Sequence, residues 1–157
     1  MAAEIIFDLS RFDLDHPIAG PAEIEAVNPH RWAMRQIDAV IWMDDAKSAV
    51  IGYKLVRADE FWAAGHIPGR PVLPGVLMIE AAAQLASFVV HHRFPGLGFL
   101  GFIGCDEVKF RGQVLPGDRL YLMGREIRFK PRRFVCEAQG VVAGKLVFEA
   151  KITAMPI

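Results

Sequence analysis

The sequence lacks three features that often announce where a protein works. It has only two cysteines, Cys105 and Cys136, far apart and at no metal or redox spacing. This excludes a disulfide framework and leads us to expect two small core residues of a reduced, intracellular protein. It has no net charge, 18 basic residues balancing 18 acidic ones, which removes the electrostatic reason to look for nucleic acid or an anionic membrane. It also has no apolar run long enough for a bilayer: Val76 to Val90 is the longest, and Glu80 interrupts it. The start, MAAEIIFDLSRFDLD, shows neither the basic opening nor the apolar stretch of a signal peptide. The expectation is a soluble, cytoplasmic protein with no membrane insertion, and 157 residues suit one domain around one core.

What charge there is falls unevenly. Residues 1 to 29 hold six acids against Arg11 alone, while residues 108 to 133 hold eight bases against Asp118 and Glu126. The basic stretch is either a set of solvated strand faces or a surface for an acidic partner. We divide the chain into an acidic arm, 1–28, and a single domain, 29–157. Within the domain, QIDAVIWMDD and SAVIGYKLVR carry the β-branched and aromatic bulk of strands and are joined by a polar turn at Asp44 to Lys47, which predicts a hairpin. ADEFWAAGHIPGRPVLPG, with three prolines and three glycines, predicts a loop with a pinned backbone. Val76 to His92 is helical in pattern, with Pro74-Gly75 before it, basic residues at its end and almost no polar face, so burial nearly all round is expected. Four strand-like runs follow, at 99–111, 118–130, 133–142 and 145–155. The last alternates cleanly, as a strand with one buried face does. An α+β fold, an antiparallel sheet of about six strands wrapped round one central helix, satisfies this order.

Glu80 is the odd letter in the helix. Gln84 stands four residues on, so the two share a face and their side chains can touch. A carboxyl group taken out of water tends to keep its proton near neutral pH, which suits a general acid. His66, in the pinned loop, has an imidazole that can serve as base. Pro74-Gly75 opens the helix, whose first amides can receive an oxygen that becomes negative. Base, acid and oxyanion donor together suit removal of a proton beside a carbonyl with loss of a β-leaving group. Taken singly, Glu80 could pair with a buried arginine and His66 could cap a loop. GLGFLG, Gly96 to Gly101, fits a dinucleotide-binding pattern but follows a helix and leads into a strand, the reverse of the required order. His91-His92 is expected as a solvated helix end with no metal.

The stretch GHIPGRPVLPGVLMIEAAAQ, Gly65 to Gln84, resembles the signature of the FabZ-type β-hydroxyacyl-acyl carrier protein dehydratases. PHRWAMRQIDAV and EVKFRGQVLPGDRL resemble the family's flanking motifs, so the likeness spans roughly residues 28 to 155. FabA-type enzymes resemble the chain less, having Asp where Glu80 stands. The resemblance implies a hotdog fold and, with no cofactor or metal, conversion of a 3-hydroxyacyl thioester to the trans-2-enoyl thioester and water in fatty-acid biosynthesis. It assigns catalysis to His66 and Glu80, and substrate binding to Gly75, Gln84 and Val76. Gly75 would hold the thioester carbonyl through its N–H, and Gln84 would orient Glu80. It further implies an acidic acyl carrier protein as partner, which would give the basic stretch a use, and a homodimer, in many members a trimer of dimers, with the histidine of one subunit meeting the glutamate of the other. The chain departs from the pattern at Ile67, at Ala33-Met34 and in its arm, which bears on substrate preference more than on reaction type. A hotdog thioesterase and a non-catalytic acyl-carrier-binding subunit are the rival readings.

Overall fold

The computed structural model describes residues 3–157; Met1 and Ala2, the start of the arm, lie outside the described residues. Six strands form one antiparallel sheet: β1 (Ala39–Met43), β2 (Ala49–Leu55), β3 (Leu100–Phe110), β4 (Arg119–Lys130), β5 (Arg133–Val142) and β6 (Lys145–Pro156), in the order β1-β2-β4-β5-β6-β3. The predicted hairpin is closed by Asp44, whose carboxylate accepts from the amides of Ser48 (2.6 Å) and Ala49 (2.8 Å) and from the Ser48 hydroxyl (2.6 Å). A short polar side chain doing the work of a backbone acceptor is what ends one strand and starts the next.

Helix α2, Gly75–Arg93, carries the chain from β2 to β3 at the far edge and packs across the strands on the way. Its buried face is Met78, Ala81, Ala82, Leu85, Ala86, Phe88 and Val89. Gly52 lets it settle on β2, since a Cβ there would lie 2.8 Å from the Ala39 carbonyl oxygen and 2.9 Å from a Leu85 methyl. The short helix α1, Pro21–Val27, packs against α2. Against the expectation from the sequence, α2 is by length and composition apolar enough to cross a bilayer, but most of it is buried in the fold.

Two expectations need correction. Burial of α2 nearly all round is not found: Val76 is 66% exposed, and Leu77, Ile79, Glu80 and Ala83 are partly open. One sheet covers one side of a helix, and the stripe facing the β3 edge has no cover among the described residues. Cys105 is not a core residue either. It is exposed on β3, whereas Cys136 on the interior strand β5 is buried, its thiol pushed up to about 12 by loss of solvation.

The sheet's outer face is not left to solvent. Ile5, Ile6, Phe7, Leu9, Phe12 and Leu14 lie over Ile41, Ile51, Met123 and Val141, with Trp42 taking both Phe7 (5.7 Å between ring centres) and Phe12 (4.9 Å). The Gln139 amide accepts from the Ile6 N–H (2.8 Å) and donates to the Glu4 carbonyl (2.9 Å). At the β1 edge, Ile18 and Ala19 pair with Val40. The β3 edge has no such cover among the described residues, and Phe102, Ile103 and Phe110 on it are each about half exposed.

Candidate active site

Glu80 lies one and a half turns into α2, its side chain 26% exposed, at the rim of a groove of about 150 Å³ between the helix and β3 and β6. Ala83 and Ser87 continue its stripe, and Phe99, Leu100, Phe102, Ile152 and Ala154 form the opposite wall. Full burial of this carboxyl, expected from the sequence, is therefore corrected to a half-buried position in a mostly apolar groove.

Gln84 is fully buried and uses its whole amide. Its Oε1 accepts from the Gln36 N–H (2.8 Å), and its Nε2 donates to the Met34 carbonyl (2.7 Å) and to Glu80 Oε1 (2.8 Å). His30 Nε2 also comes within 3.3 Å of this oxygen, without hydrogen-bond geometry. The sequence marks His30 only as part of PHRWAMRQIDAV and gives it no role. It stands fifty residues from Glu80, so helical spacing cannot connect the pair.

His66 sits on the exposed loop before α2. Its Nδ1 lies 2.6 Å from the Val72 carbonyl oxygen, and its amide donates to the Trp62 carbonyl (2.9 Å). A carbonyl can only accept, so Nδ1 carries the hydrogen and Nε2 keeps its lone pair, the tautomer a base needs. The loop is anchored from below. Lys54 and Glu60, 3% and 7% exposed, form an ion pair at 2.8 Å, and the Trp62 indole N–H and Arg57 N–H also donate to Glu60. Burial raises the Glu60 carboxyl, but these hydrogen bonds outweigh it and hold the group below the usual carboxylate range. Ile67, next to His66, has φ of +121°, a backbone strain a β-branched residue adopts only where its surroundings impose it.

Gly75 begins α2, where the first amides have no partner within the helix. The ring of Phe110 packs against its Cα, so that a Cβ would come within 2.8 Å of ring carbons. Val76 stands out beside it. The structure therefore groups Glu80 with Gln84, and His66 with the loop leading to Gly75 and Val76. Among the described residues no hydrogen bond joins His66 to Glu80, and no cluster of histidine, cysteine and carboxylate side chains is placed to hold a metal.

His91 and His92 are not simply solvated. Their ring nitrogens meet the Ser87, Gly98 and Phe88 carbonyls, tying off the last turn of α2. GLGFLG runs from the loop after it into the first two residues of β3, with Gly96 and Gly98 at positive φ. Four of the eight cations of residues 108–133 are engaged: Lys109 and Arg111 by Glu149, Arg125 by Glu137, and Arg119 over the Tyr53 ring. Arg128, Lys130, Arg132 and Arg133, around the β4–β5 turn, are exposed with no carboxylate within 4 Å among the described residues.

A sheet wrapped on one long helix, with a carboxyl clamped on that helix and an imidazole on the loop before it, defines a hotdog protein. Comparison narrows the class. The FabA-like domain matches residues 28–151. The 3-hydroxyacyl-acyl-carrier-protein dehydratase FabZ of Lawsonia intracellularis is 41% identical over 147 residues, 90% of this chain and 95% of that protein. Its Clostridium beijerinckii counterpart is 41% identical over 133 residues, 83% and 93% of the two chains. Among solved structures, the dehydratase heterocomplex ApeI:P from Xenorhabdus doucetiae superposes with a TM-score of 0.72 at 17% identity, covering 85% of this chain and 90% of that one, a likeness of fold. This chain belongs to the FabA-like dehydratase family, on its FabZ side.

Proposed function

We propose that the protein is a 3-hydroxyacyl-acyl-carrier-protein dehydratase of fatty-acid biosynthesis, working in the cytoplasm. His66 Nε2 removes the C2 proton, the Gly75 N–H holds the thioester oxygen as it gains charge, and Glu80 gives its proton to the departing hydroxyl, releasing water and the trans-2-enoyl thioester. Gln84 fixes Glu80, and Val76 borders the bound thioester. The observation that carries the reading is the clamp on Glu80. A buried glutamine, itself held by the Gln36 N–H and the Met34 carbonyl, donates its remaining N–H to one carboxyl at the rim of an apolar groove.

The lack of a hydrogen bond between His66 and Glu80 and the uncovered β3 edge among the described residues support a homodimer in which the histidine of one subunit faces the glutamate of the other. A trimer of dimers is the further assembly we propose. An acyl carrier protein is acidic, and Arg128, Lys130, Arg132 and Arg133 offer it free positive charge. In this reading residues 29–157 are the working domain and residues 1–28 its arm.

The test is absorbance of enoyl product from 3-hydroxyacyl thioesters, on carrier protein and on CoA, with thiol release followed in parallel. We expect product without free thiol, and loss of at least about 10²-fold in Glu80→Gln and His66→Ala. Thiol release without enoyl product would make the protein a thioesterase, and full turnover by Glu80→Gln would remove the role given to that residue.

A further inference from the structure

We propose that Trp62 is a positioning residue for the base. Its indole is bonded to the buried Glu60 carboxylate and its carbonyl holds the amide of His66, so the ion pair beneath the loop sets where His66 Nε2 points. The inference rests on the reading of His66 as the base and assigns the buried carboxylate a part in the geometry of the reaction.

Every link in this chain is a hydrogen bond. Glu60 Oε2 accepts from Lys54 Nζ (2.8 Å) and from Trp62 Nε1 (3.0 Å), while Oε1 accepts from the Arg57 N–H (2.9 Å). The Glu60 carbonyl accepts from the Ala63 N–H (3.0 Å), and the Trp62 carbonyl from the N–H groups of Gly65 (3.3 Å) and His66 (2.9 Å). Trp62 is thus gripped by its side chain and grips His66 by its backbone. From the other side of the loop the Val72 carbonyl accepts from His66 Nδ1 (2.6 Å), and the next residue, Leu73, donates its N–H to the Val114 carbonyl (2.8 Å). An imidazole tied through its own amide and through one ring nitrogen has one direction left for the other nitrogen.

Burial makes these bonds hard to replace. Trp62 and Lys54 are buried, as is the side chain of Glu60, so an indole N–H turned away from the carboxylate would find no water, and an unpaired buried donor is costly. A buried ion pair adds little net stability over an apolar pair of equal volume, which makes stability alone a poor reason for one. What this pair supplies is a fixed place for two acceptor oxygens. Lys54 belongs to β2, bonded on one side to β1 and on the other to β4, so the foot of the arrangement is rigid. The loop above it holds Ile67 at φ +121°, which persists only while both sides are tied. Trp62 ties the side before His66, and Val72 and Leu73 tie the side after it. If the indole lets go, the first side gives way and the imidazole turns with it.

The experiment measures kcat, KM and the nitrogen resonances of the isotope-labelled His66 ring in wild type, Trp62→Phe, Glu60→Leu and Glu60→Gln, each checked for size and melting temperature, with His66→Ala as the control for kcat. Trp62→Phe removes the indole donor and Glu60→Leu its acceptor. Glu60→Gln keeps an acceptor for the indole but, like Glu60→Leu, leaves Lys54 without its counter-charge, so these two should melt below wild type by similar amounts. We expect Trp62→Phe and Glu60→Leu to lose about 10- to 100-fold in kcat, the scale set by misplacing a reacting group by an ångström. KM should stay within a factor of about two, because His66 acts on the transition state more than on bound substrate. Their neutral His66 rings should show both Nδ1–H and Nε2–H forms where wild type shows Nδ1–H alone. Glu60→Gln should keep kcat within about threefold of wild type despite its lower melting temperature, since its amide oxygen still accepts. Wild-type kcat and an Nδ1–H ring in both Trp62→Phe and Glu60→Leu, with His66→Ala inactive, would overturn the inference and leave the dehydratase reading intact. A kcat that falls in Glu60→Gln as far as in Glu60→Leu, in step with melting temperature, would overturn it too and make the contact structural only. Normal turnover by His66→Ala would remove both readings together.

Discussion

Gly75 shows at a single residue how packing and chemistry share a position. Its φ is ordinary, so a side chain is excluded by the Phe110 ring and not by backbone strain. Gly75→Ala forces that ring or the helix start to move, at about 1–3 kcal/mol of stability. Because the amide proposed to hold the thioester oxygen moves with it, kcat/KM should fall well beyond what the drop in melting temperature accounts for; equal activity would detach the Gly75 amide from the reaction. At this scale the sequence was legible where function is local. Glu80 stood out as a carboxylate among apolar neighbours, and four-residue spacing delivered Gln84. His30 was hidden because its approach to Glu80 depends on tertiary packing. Cys105 was misread because a cysteine is as apolar on an edge strand as inside, and sequence does not say which strand forms the edge.

Elements were legible where hairpin chemistry is local. Asp44 closes the first hairpin, the ranges expected for the last four strands hold within a residue or two, and α2 begins one residue before the predicted start. The support beneath the His66 loop was not legible, since Lys54 and Glu60 look like any solvated pair until the fold buries them. Lys54→Met would leave Glu60 buried without its cation, which costs about 3–5 kcal/mol, and should loosen His66 enough to lower kcat. The pH dependence follows from the direction of the shift. Folding lowers the Glu60 carboxyl below its ordinary range, so its stabilising contribution is complete above that range and disappears as pH falls through the lowered folded value. Melting curves of wild type and Glu60→Gln should therefore lie furthest apart near neutrality and converge in acid. A gap that stayed constant with pH would show that the ion pair does not supply the anchor.

At the scale of the whole molecule, no hydrogen bond joins the two halves of the proposed site, and one sheet edge and one helix stripe have no cover among the described residues. If the chemistry is shared between subunits, His66→Ala and Glu80→Gln chains, each inactive alone, should regain part of the wild-type rate when refolded together, because a mixed dimer contains one intact pair. No regain from mixed dimers of normal size would place both roles in one chain. The arm over the outer face was only half legible: its apolar residues are plain in the sequence, but half of the face they cover, Met123 and Val141, lies more than a hundred positions away. That separation also sets an order of events during synthesis. Ile6 leaves the ribosome 133 residues ahead of Gln139, the amide that clasps it, an interval of about 7–27 s at ordinary elongation rates. For that time the arm lacks the Gln139 clasp and the β5 part of the face it covers. Its full docking can only come after β5 exists, so this early segment must wait for one of the late strands.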